Sequence, residues 1–215
     1  AMNRASIPAI EAWRAYTSAR ASNWSIRHLA DHEAAISEGG KLRTRGKRLG
    51  EPDTTQPGAL RGLMALPLNQ IDADRVKAWL KDEAARRPTH AALVFRLLRG
   101  FLNWCAYQPD YRGQVCKDAC AGRIAKDVLP KKNAKADSLQ REQLPAWFSS
   151  VKKIGNPVIS VYLQCLLLTG ARREELAGVR WADVDFQWNS IVIHDKVEGE
   201  RIIPLTPYVA SLLAT

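Results

Sequence analysis

Long apolar segments are missing from this 215-residue sequence. No uninterrupted run approaches the ~20 apolar residues that a helix needs to cross a lipid bilayer. Residues 1–14 mix charged and apolar side chains and lack the basic start and apolar core of a secretory signal. These absences argue against a membrane-spanning or exported protein. The hydrophobic fraction of 46% and the charged fraction of 25% instead predict a soluble globular protein.

Cysteine is scarce as well, with four residues at positions 105, 116, 120 and 165. A chain of this length does not need disulfides to stabilise its core, so these cysteines indicate the reducing cytoplasm. Cys116 and Cys120 could supply two ligands of a metal site. A closed zinc site takes four ligands, however, and none of the four histidines lies near this pair in the sequence. Free thiols are the favoured interpretation, and no cofactor is expected.

Acidic residues are too few to balance the basic ones, which leaves a formal net charge of +10. A basic surface concentrates phosphates and releases counterions when it binds them, so the charge favours nucleic acid first and an anionic membrane second. The excess of basic residues is distributed unevenly along the chain. Residues 1–135 contain 24 Lys and Arg against 13 Asp and Glu, whereas residues 136–215 contain 8 against 9. The first part of the chain is therefore expected to hold the polyanion.

Helical spacing of apolar residues predicts a small bundle over residues 1–110. Its main helices are expected at 8–20, at 24–38, after the capping residue Asp72, and at 88–107. The last is apolar on so many sides that it should form the spine of the core. Residues 39–58 are polar and rich in Gly, Pro and Thr, which predicts a loop.

A linker is predicted over 111–137, where Gly, Pro and charged residues are mixed, and a second unit over 138–215. The second unit should begin with three helices, the third running from Ala171 to about Val179. It should continue with extended segments at 190–194 and 201–205 on either side of a Glu198-Gly199 turn, which is a β-hairpin pattern. The expected fold is mainly α-helical with a small β-hairpin.

Three segments of the second unit occur in a characteristic order. They are TGARREEL at 169–176, WADVD at 181–185, and Lys196 followed by RIIPL at 201–205. Together they resemble the first catalytic box of the tyrosine recombinases, the phage integrase family. In that family a TG-x-R-x-x-E-L segment starts a helix, and a hairpin presents a lysine before an R-hydrophobic-hydrophobic-P-L strand. The resemblance implies a SAM-like core-binding domain followed by part of an α+β catalytic domain.

The resemblance makes Arg172 the first arginine of the active site, Glu175 its supporting acid, and Lys196 the general acid for the departing 5′ oxygen. The residue types suit these roles. A guanidinium matches two phosphate oxygens and stabilises the charge that accumulates during attack. Glu175 lies three residues after Arg172 and so shares its helix face. The alternatives are a solvated arginine, a lysine of an ordinary turn, and an acid that only complements the helix dipole.

Further DNA contacts are expected from basic residues outside that box. These are Lys41, Arg43, Arg45, Lys47, Arg48 and Arg201. The first five could contact the phosphate backbone, which positions a protein on DNA without specifying sequence, or could form a solvated disordered loop. Arg201 could help to hold phosphate or could simply flank an exposed strand.

The family also needs a second arginine in an H-x-x-R box, a further His or Trp, and a nucleophilic tyrosine, none of which can be placed after the hairpin. Tyr208 stands at a helix start, the wrong context for the nucleophile. The chain is therefore expected to be an inactive, monomeric fragment of an enzyme from a bacterium or prophage. The resemblance implies that the enzyme recombines duplex DNA as a tetramer through a 3′-phosphotyrosine. The alternative is a nonenzymatic DNA-binding regulator on the same fold.

Overall fold

Two compact units make up the protein, Ala1–Asn133 and Ala134–Thr215. The computed structural model describes residues 6–44, 46, 50, 52–131, 137–195 and 199–214. Most of these residues are helical, and a small antiparallel sheet lies in the second unit, which confirms the predicted fold class. In the part of the chain that the structure describes, no helix is long and apolar enough to cross a membrane.

The first unit is a helical bundle. Its helices are α1 (Ala9–Arg20), α2 (Ile26–Ile36), α3 (Arg61–Met64), α4 (Ala73–Arg86), α5 (Pro88–Tyr107) and α6 (Gly122–Val128). The carboxylate of Asp72 accepts the Arg75 amide at 2.9 Å and so caps α4, as the sequence predicts. Pro88 occupies the first position of α5, where its missing N–H costs nothing.

Helix α5 is the spine of the first core. It buries eight side chains, including Phe101 and Leu98, neither of which is exposed to solvent. Phe101 contacts the indole of Trp13 on α1, with ring centroids 5.0 Å apart. A helix that buries this many positions keeps only a narrow polar stripe, which includes the exposed Arg96 and Arg99, and this explains its largely apolar sequence.

The predicted linker is largely part of the first unit, which corrects the expected boundary at residue 110. Ala119 and Ile124 are buried in the core that α5 organises, and the side chain of Gln114 accepts the Ile7 amide at 3.0 Å. Periodicity misses these residues because they sit in successive short turns and in the seven-residue α6, so no long apolar stripe forms. The units divide instead between Asn133 and Ala134.

The second unit combines helices with the sheet. Its elements are α7 (Leu144–Lys152), α8 (Pro157–Thr169), α9 (Arg173–Ala177), β1 (Val184–Asp185), β2 (Ser190–Asp195), β3 (Gly199–Pro204) and α10 (Pro207–Leu213). The sheet order is β1-β2-β3, and both pairings are antiparallel. Strands β2 and β3 form the predicted hairpin, in which Ile193 is opposite Arg201. Ile191 and Ile193 point into a small core with Cys165.

An apolar groove of about 450 Å³ opens on the second unit. It is lined mainly by aliphatic side chains of α8, β1, β2 and α10, among them Val161, Val184 and Leu212. Val158, also in its lining, is 74% exposed. The core of this unit is thus open to solvent on one side.

Candidate active site

The break between α8 and α9 sets the position of Arg172. Gly170 ends α8 in the left-handed conformation, with φ of +65°, and its amide donates to the Leu166 carbonyl at 3.2 Å. The Thr169 hydroxyl donates to the Cys165 carbonyl at 2.7 Å and accepts the Ala171 amide at 3.3 Å. The Thr-Gly pair therefore turns the chain sharply, because glycine adopts this φ without steric cost.

Helix α9 begins at Arg173, one residue after Arg172. The sequence places Arg172 within the first turn of a helix that starts at Ala171, whereas the structure makes it the N-cap residue, with extended backbone at φ −70° and ψ 152°. The helix is also shorter than expected and ends at Ala177. Arg172 thus lies immediately before the first residue of the helix.

Glu175 joins the backbone and the side chain of Arg172. One carboxylate oxygen, Oε2, accepts the Arg172 amide at 2.9 Å, and the other, Oε1, accepts from Nη1 of the Arg172 guanidinium at 2.5 Å. The first contact is half of a capping box, in which the third helical residue reaches back to the N-cap amide. Glu175 therefore contacts both the N-cap amide of the helix and the guanidinium of Arg172, and its role as the supporting acid of an active site stays a prediction.

A third partner of Glu175 comes from the sheet. Nη2 of Arg201, on β3, donates to Oε2 of Glu175 at 2.7 Å. The hydrogen bonds from the Arg172 amide and guanidinium hold the pKa of Glu175 below its usual value, and the charge of Arg201 acts in the same direction. The carboxylate is therefore ionised at neutral pH, and the cluster of two arginines and one glutamate carries a net charge of +1.

Arg172 remains accessible in this arrangement, since 68% of its side chain is exposed, against 9% for the Glu175 side chain. Its neighbour Arg173 pairs instead with Glu174, and both of those side chains face solvent. The site thus offers one oriented guanidinium at the surface, with its carboxylate partner largely covered. Such a group can bind two oxygens of a phosphodiester in a fixed geometry.

A second polar network crosses the sheet, and the sequence did not single it out as a cluster. Nε2 of His194 lies 3.1 Å from Asp183 Oδ1, and its Nδ1 lies 3.2 Å from Glu200 Oε1. Asp183 also accepts the Arg180 amide at 2.8 Å, and these bonds lower the pKa of Asp183. His194 and Glu200 are directly paired across β2 and β3. The WADVD segment supplies Asp183, but its partner is visible only once the strands are paired.

Lys196 lies outside the described residues, between the ends of β2 and β3. Its predicted role as general acid therefore stays a prediction. Arg45, Lys47 and Arg48 of the basic run also lie outside the described residues, so their predicted contacts with the DNA backbone stay predictions.

The described part of the basic run belongs to a short arm, in which residues 40–43 lie antiparallel to residues 53–55 around an isolated β-bridge between Leu42 and Thr54. The Arg43 amide donates to the Asp53 carbonyl at 2.8 Å, and the Thr55 amide donates to the Lys41 carbonyl at the same distance. Lys41 is exposed, and the Arg43 guanidinium donates to the Gly46 carbonyl at 3.0 Å. The arm thus has regular backbone pairing at its base, where the sequence indicates only a loop.

Tyr208 is held by a hydrogen bond within the second unit. It lies at the start of α10, and its hydroxyl donates to Oε1 of the buried Gln164 at 2.6 Å. This partner does not activate the phenol, because an amide oxygen accepts its proton in a hydrogen bond without being able to take it.

Comparison with known proteins identifies the family. The family model of the phage integrase core-binding domain matches residues 8–127. The protein belongs to the phage integrase family of tyrosine recombinases. The match extends past residue 110 and includes most of α6, in agreement with the packing of that helix in the first core.

One relative is the prophage integrase IntF of Escherichia coli (strain K12), to which the chain is 48% identical over 191 residues. That alignment covers 88% of this chain and 40% of IntF, so the chain spans about two fifths of the relative's length. The sequence likeness therefore extends beyond the core-binding domain.

Two solved structures share the fold. The Tn1549 transposon integrase in complex with transposon right end DNA matches with a TM-score of 0.70 at 15% identity, over 97% of this chain and 64% of that chain. The XerH site-specific recombinase bound to its palindromic difH substrate matches with a TM-score of 0.51 at 18% identity, over 69% and 43%.

Proposed function

We propose that the complete protein recombines duplex DNA at specific sites by cleaving and rejoining strands through a 3′-phosphotyrosine. The observation that carries the proposal is the pairing of Arg172 with Glu175, which presents an oriented guanidinium at the N-terminus of α9. Attack of a tyrosine oxygen on a backbone phosphorus places extra charge on the nonbridging oxygens. A cation fixed beside them stabilises that transition state more than the ground state.

In this proposal Arg172 binds the scissile phosphate, Glu175 supports it, and Lys196 donates a proton to the departing 5′ oxygen. The phosphotyrosine retains the energy of the broken phosphodiester, so rejoining needs neither a metal ion nor a nucleotide. The first unit, with its basic excess and its arm bearing Lys41 and Arg43, would hold the duplex through phosphates. The complexes of the Tn1549 integrase and XerH with DNA support duplex DNA as the partner.

Residues 1–215 alone would bind DNA without cleaving it. They contain no H-x-x-R box after Lys196, and the hydrogen bond of Tyr208 to Gln164 argues against that tyrosine as the nucleophile. The open apolar groove of the second unit also supports a catalytic domain with further segments, because exposed apolar surface of this kind is normally covered. We propose a monomer for the isolated polypeptide, and a tetramer on DNA in the bacterial cytoplasm for the complete protein.

The test is covalent-complex formation on a nicked duplex, in which the cleaved end diffuses away and the protein–DNA adduct accumulates. We expect Arg172→Ala to abolish the adduct in the complete protein and Arg172→Lys to leave a small fraction, since an ammonium keeps the charge but loses the planar fork. Arg173→Ala is the matched control, because that side chain is paired with Glu174 in solvent, and it should cleave normally.

The 215-residue polypeptide provides a second readout. It should be retained on duplex DNA at low salt and released as salt rises, without forming an adduct. Undiminished adduct from Arg172→Ala would refute the assignment of Arg172. Absence of salt-dependent binding would refute a role in holding DNA.

A further inference from the structure

The carboxylate of Glu175 is shared by two arginines from different parts of the second unit. Arg172 is three residues away on the chain, whereas Arg201 is 26 residues away on β3. The Arg201 side chain is 33% exposed, about half the exposed fraction of the Arg172 side chain. Arg201 therefore contacts the site from its less accessible side, through the carboxylate that orients Arg172.

Helix α9 needs such a contact because it is only five residues long. A helix this short does not hold its shape by its own hydrogen bonds, so its orientation depends on tertiary anchors. Neighbouring elements provide them. The Tyr162 hydroxyl of α8 donates to the Arg173 carbonyl at 2.8 Å, and Arg201 holds Glu175.

Strand β3 fixes the backbone of Arg201, which makes the second of these contacts. Arg201 is directly opposite Ile193, which is fully buried, and the hairpin pairing of β2 and β3 continues on both sides of this position. An arginine on a paired strand has its backbone fixed, and the planar fork of its guanidinium loses little further freedom when it binds a carboxylate. The position of β3 can thus fix the position of the first turn of α9 through Arg201 and Glu175.

We propose that Arg201 is a positioning residue of the active site, acting through Glu175 to hold Arg172 in place for the scissile phosphate. The proposal rests on the function proposed above and adds how the arginine is held. It also assigns Arg201 a role different from the two that the sequence suggests, since its fork binds a carboxylate of the protein. The same contact ties the outgoing strand of the hairpin to the helix that presents Arg172.

A double-mutant cycle between Arg201 and Glu175 in the complete protein tests this proposal. The rate of adduct formation is measured on nicked duplex at saturating DNA, together with the Kd for uncleaved duplex over a range of salt. Arg201→Ala should slow adduct formation by about 10- to 100-fold, the scale expected when a catalytic group is misplaced. The Kd and its salt dependence should not change. In a Glu175→Ala background, Arg201→Ala should slow the reaction by less than about twofold further.

Two further variants complete the design. Arg201→Lys should react faster than Arg201→Gln, because it keeps the charge opposite Glu175, and this comparison decides the matter if Arg201→Ala does not fold. Glu200→Gln is the control on the same strand, since Glu200 contacts His194 and not Glu175. Its effect on the rate should be equal in both backgrounds.

Three outcomes would overturn the proposal. Equal slowing by Arg201→Ala with and without Glu175 would show that Arg201 acts independently of the carboxylate. A weaker Kd with a shallower salt dependence would make Arg201 a phosphate contact. Equal rates for the Lys and Gln variants would exclude a role for its charge. Failure of the proposed function itself would look different, because Arg172→Ala would then retain the adduct.

Discussion

Gly58 offers a sharp test of how the arm is attached to the first unit. The residue follows the arm and packs against the C-terminal end of α2. Its amide donates to the Ser37 carbonyl at 2.9 Å, and the Leu60 amide donates to the Ala35 carbonyl at 2.8 Å. A Cβ at this position would lie 2.4 Å from the carbonyl oxygens of both Ala34 and Ala35. Gly58→Ala therefore cannot be accommodated without moving backbone.

The size of the effect follows from these distances. Ordinary contact begins at 3.4 Å, so the chain at Gly58 must withdraw by about 1 Å from α2. A shift of that size stretches the Leu60–Ala35 bond beyond hydrogen-bonding distance. Strain of about 1–3 kcal/mol and the loss of one or two bonds of about 1 kcal/mol each predict a destabilisation of roughly 2–5 kcal/mol. With a urea m-value of about 2 kcal/mol/M, the midpoint should fall by about 1–2.5 M.

The assay is urea unfolding of the 215-residue polypeptide, monitored by hydrogen-exchange mass spectrometry. This readout measures peptides of the first unit separately from those of the second. Gly62→Ala is the matched control, since Gly62 lies on α3 and an added methyl group there would meet open space. Replacing a helical glycine in open space should stabilise by about 0.5–1 kcal/mol. A Gly58→Ala midpoint within about 0.3 M of the parent would refute the packing argument.

Two further predictions concern a glycine and a histidine. Gly170→Ala should destabilise the second unit by about 1–2 kcal/mol in thermal unfolding, because alanine resists φ of +65°, whereas Gly155→Ala, with open space and no positive φ, should change little. Burial lowers the pKa of His32 below 6.5, so the unfolded chain binds the proton more readily. The free energy of unfolding of the first unit should fall below about pH 6.5, by at most about 1.4 kcal/mol per pH unit. His32→Phe should lessen this dependence in urea titrations at several pH values, and an unchanged dependence would exclude His32 as its source.

The sequence predicts those elements whose signal is local. The largely apolar pattern of α5, the Asp72 cap and the Thr-Gly break before Arg172 each depend on residues within one or two turns of the chain, and each is present. The pairing of Arg172 with Glu175 is local too, because three residues separate them. Residue spacing alone is enough to predict such contacts.

The features that could not be predicted from the sequence depend on contacts between distant segments or on elements of only a few residues. The arm has no alternating apolar pattern because its backbone bonds, and not a buried face, hold residues 40–43 against 53–55. Strand β1 has two residues, too few for any periodicity. The Glu175–Arg201 contact requires β3 to be placed against α9, and no pattern of residues encodes that placement.

The long-range contact also bears on how the exposed Arg172 would bind the scissile phosphate precisely under the function proposed above. An arginine side chain carries ~2 kcal/mol of rotamer entropy, and an unsupported one loses much of it on binding. Glu175 restricts the Arg172 guanidinium in the structure without DNA, and Arg201 restricts Glu175 in turn. The ordering then occurs on folding, so that less of the binding free energy is lost when the phosphate binds. A site of this kind should therefore depend on β3 as much as on the helix that carries its arginine.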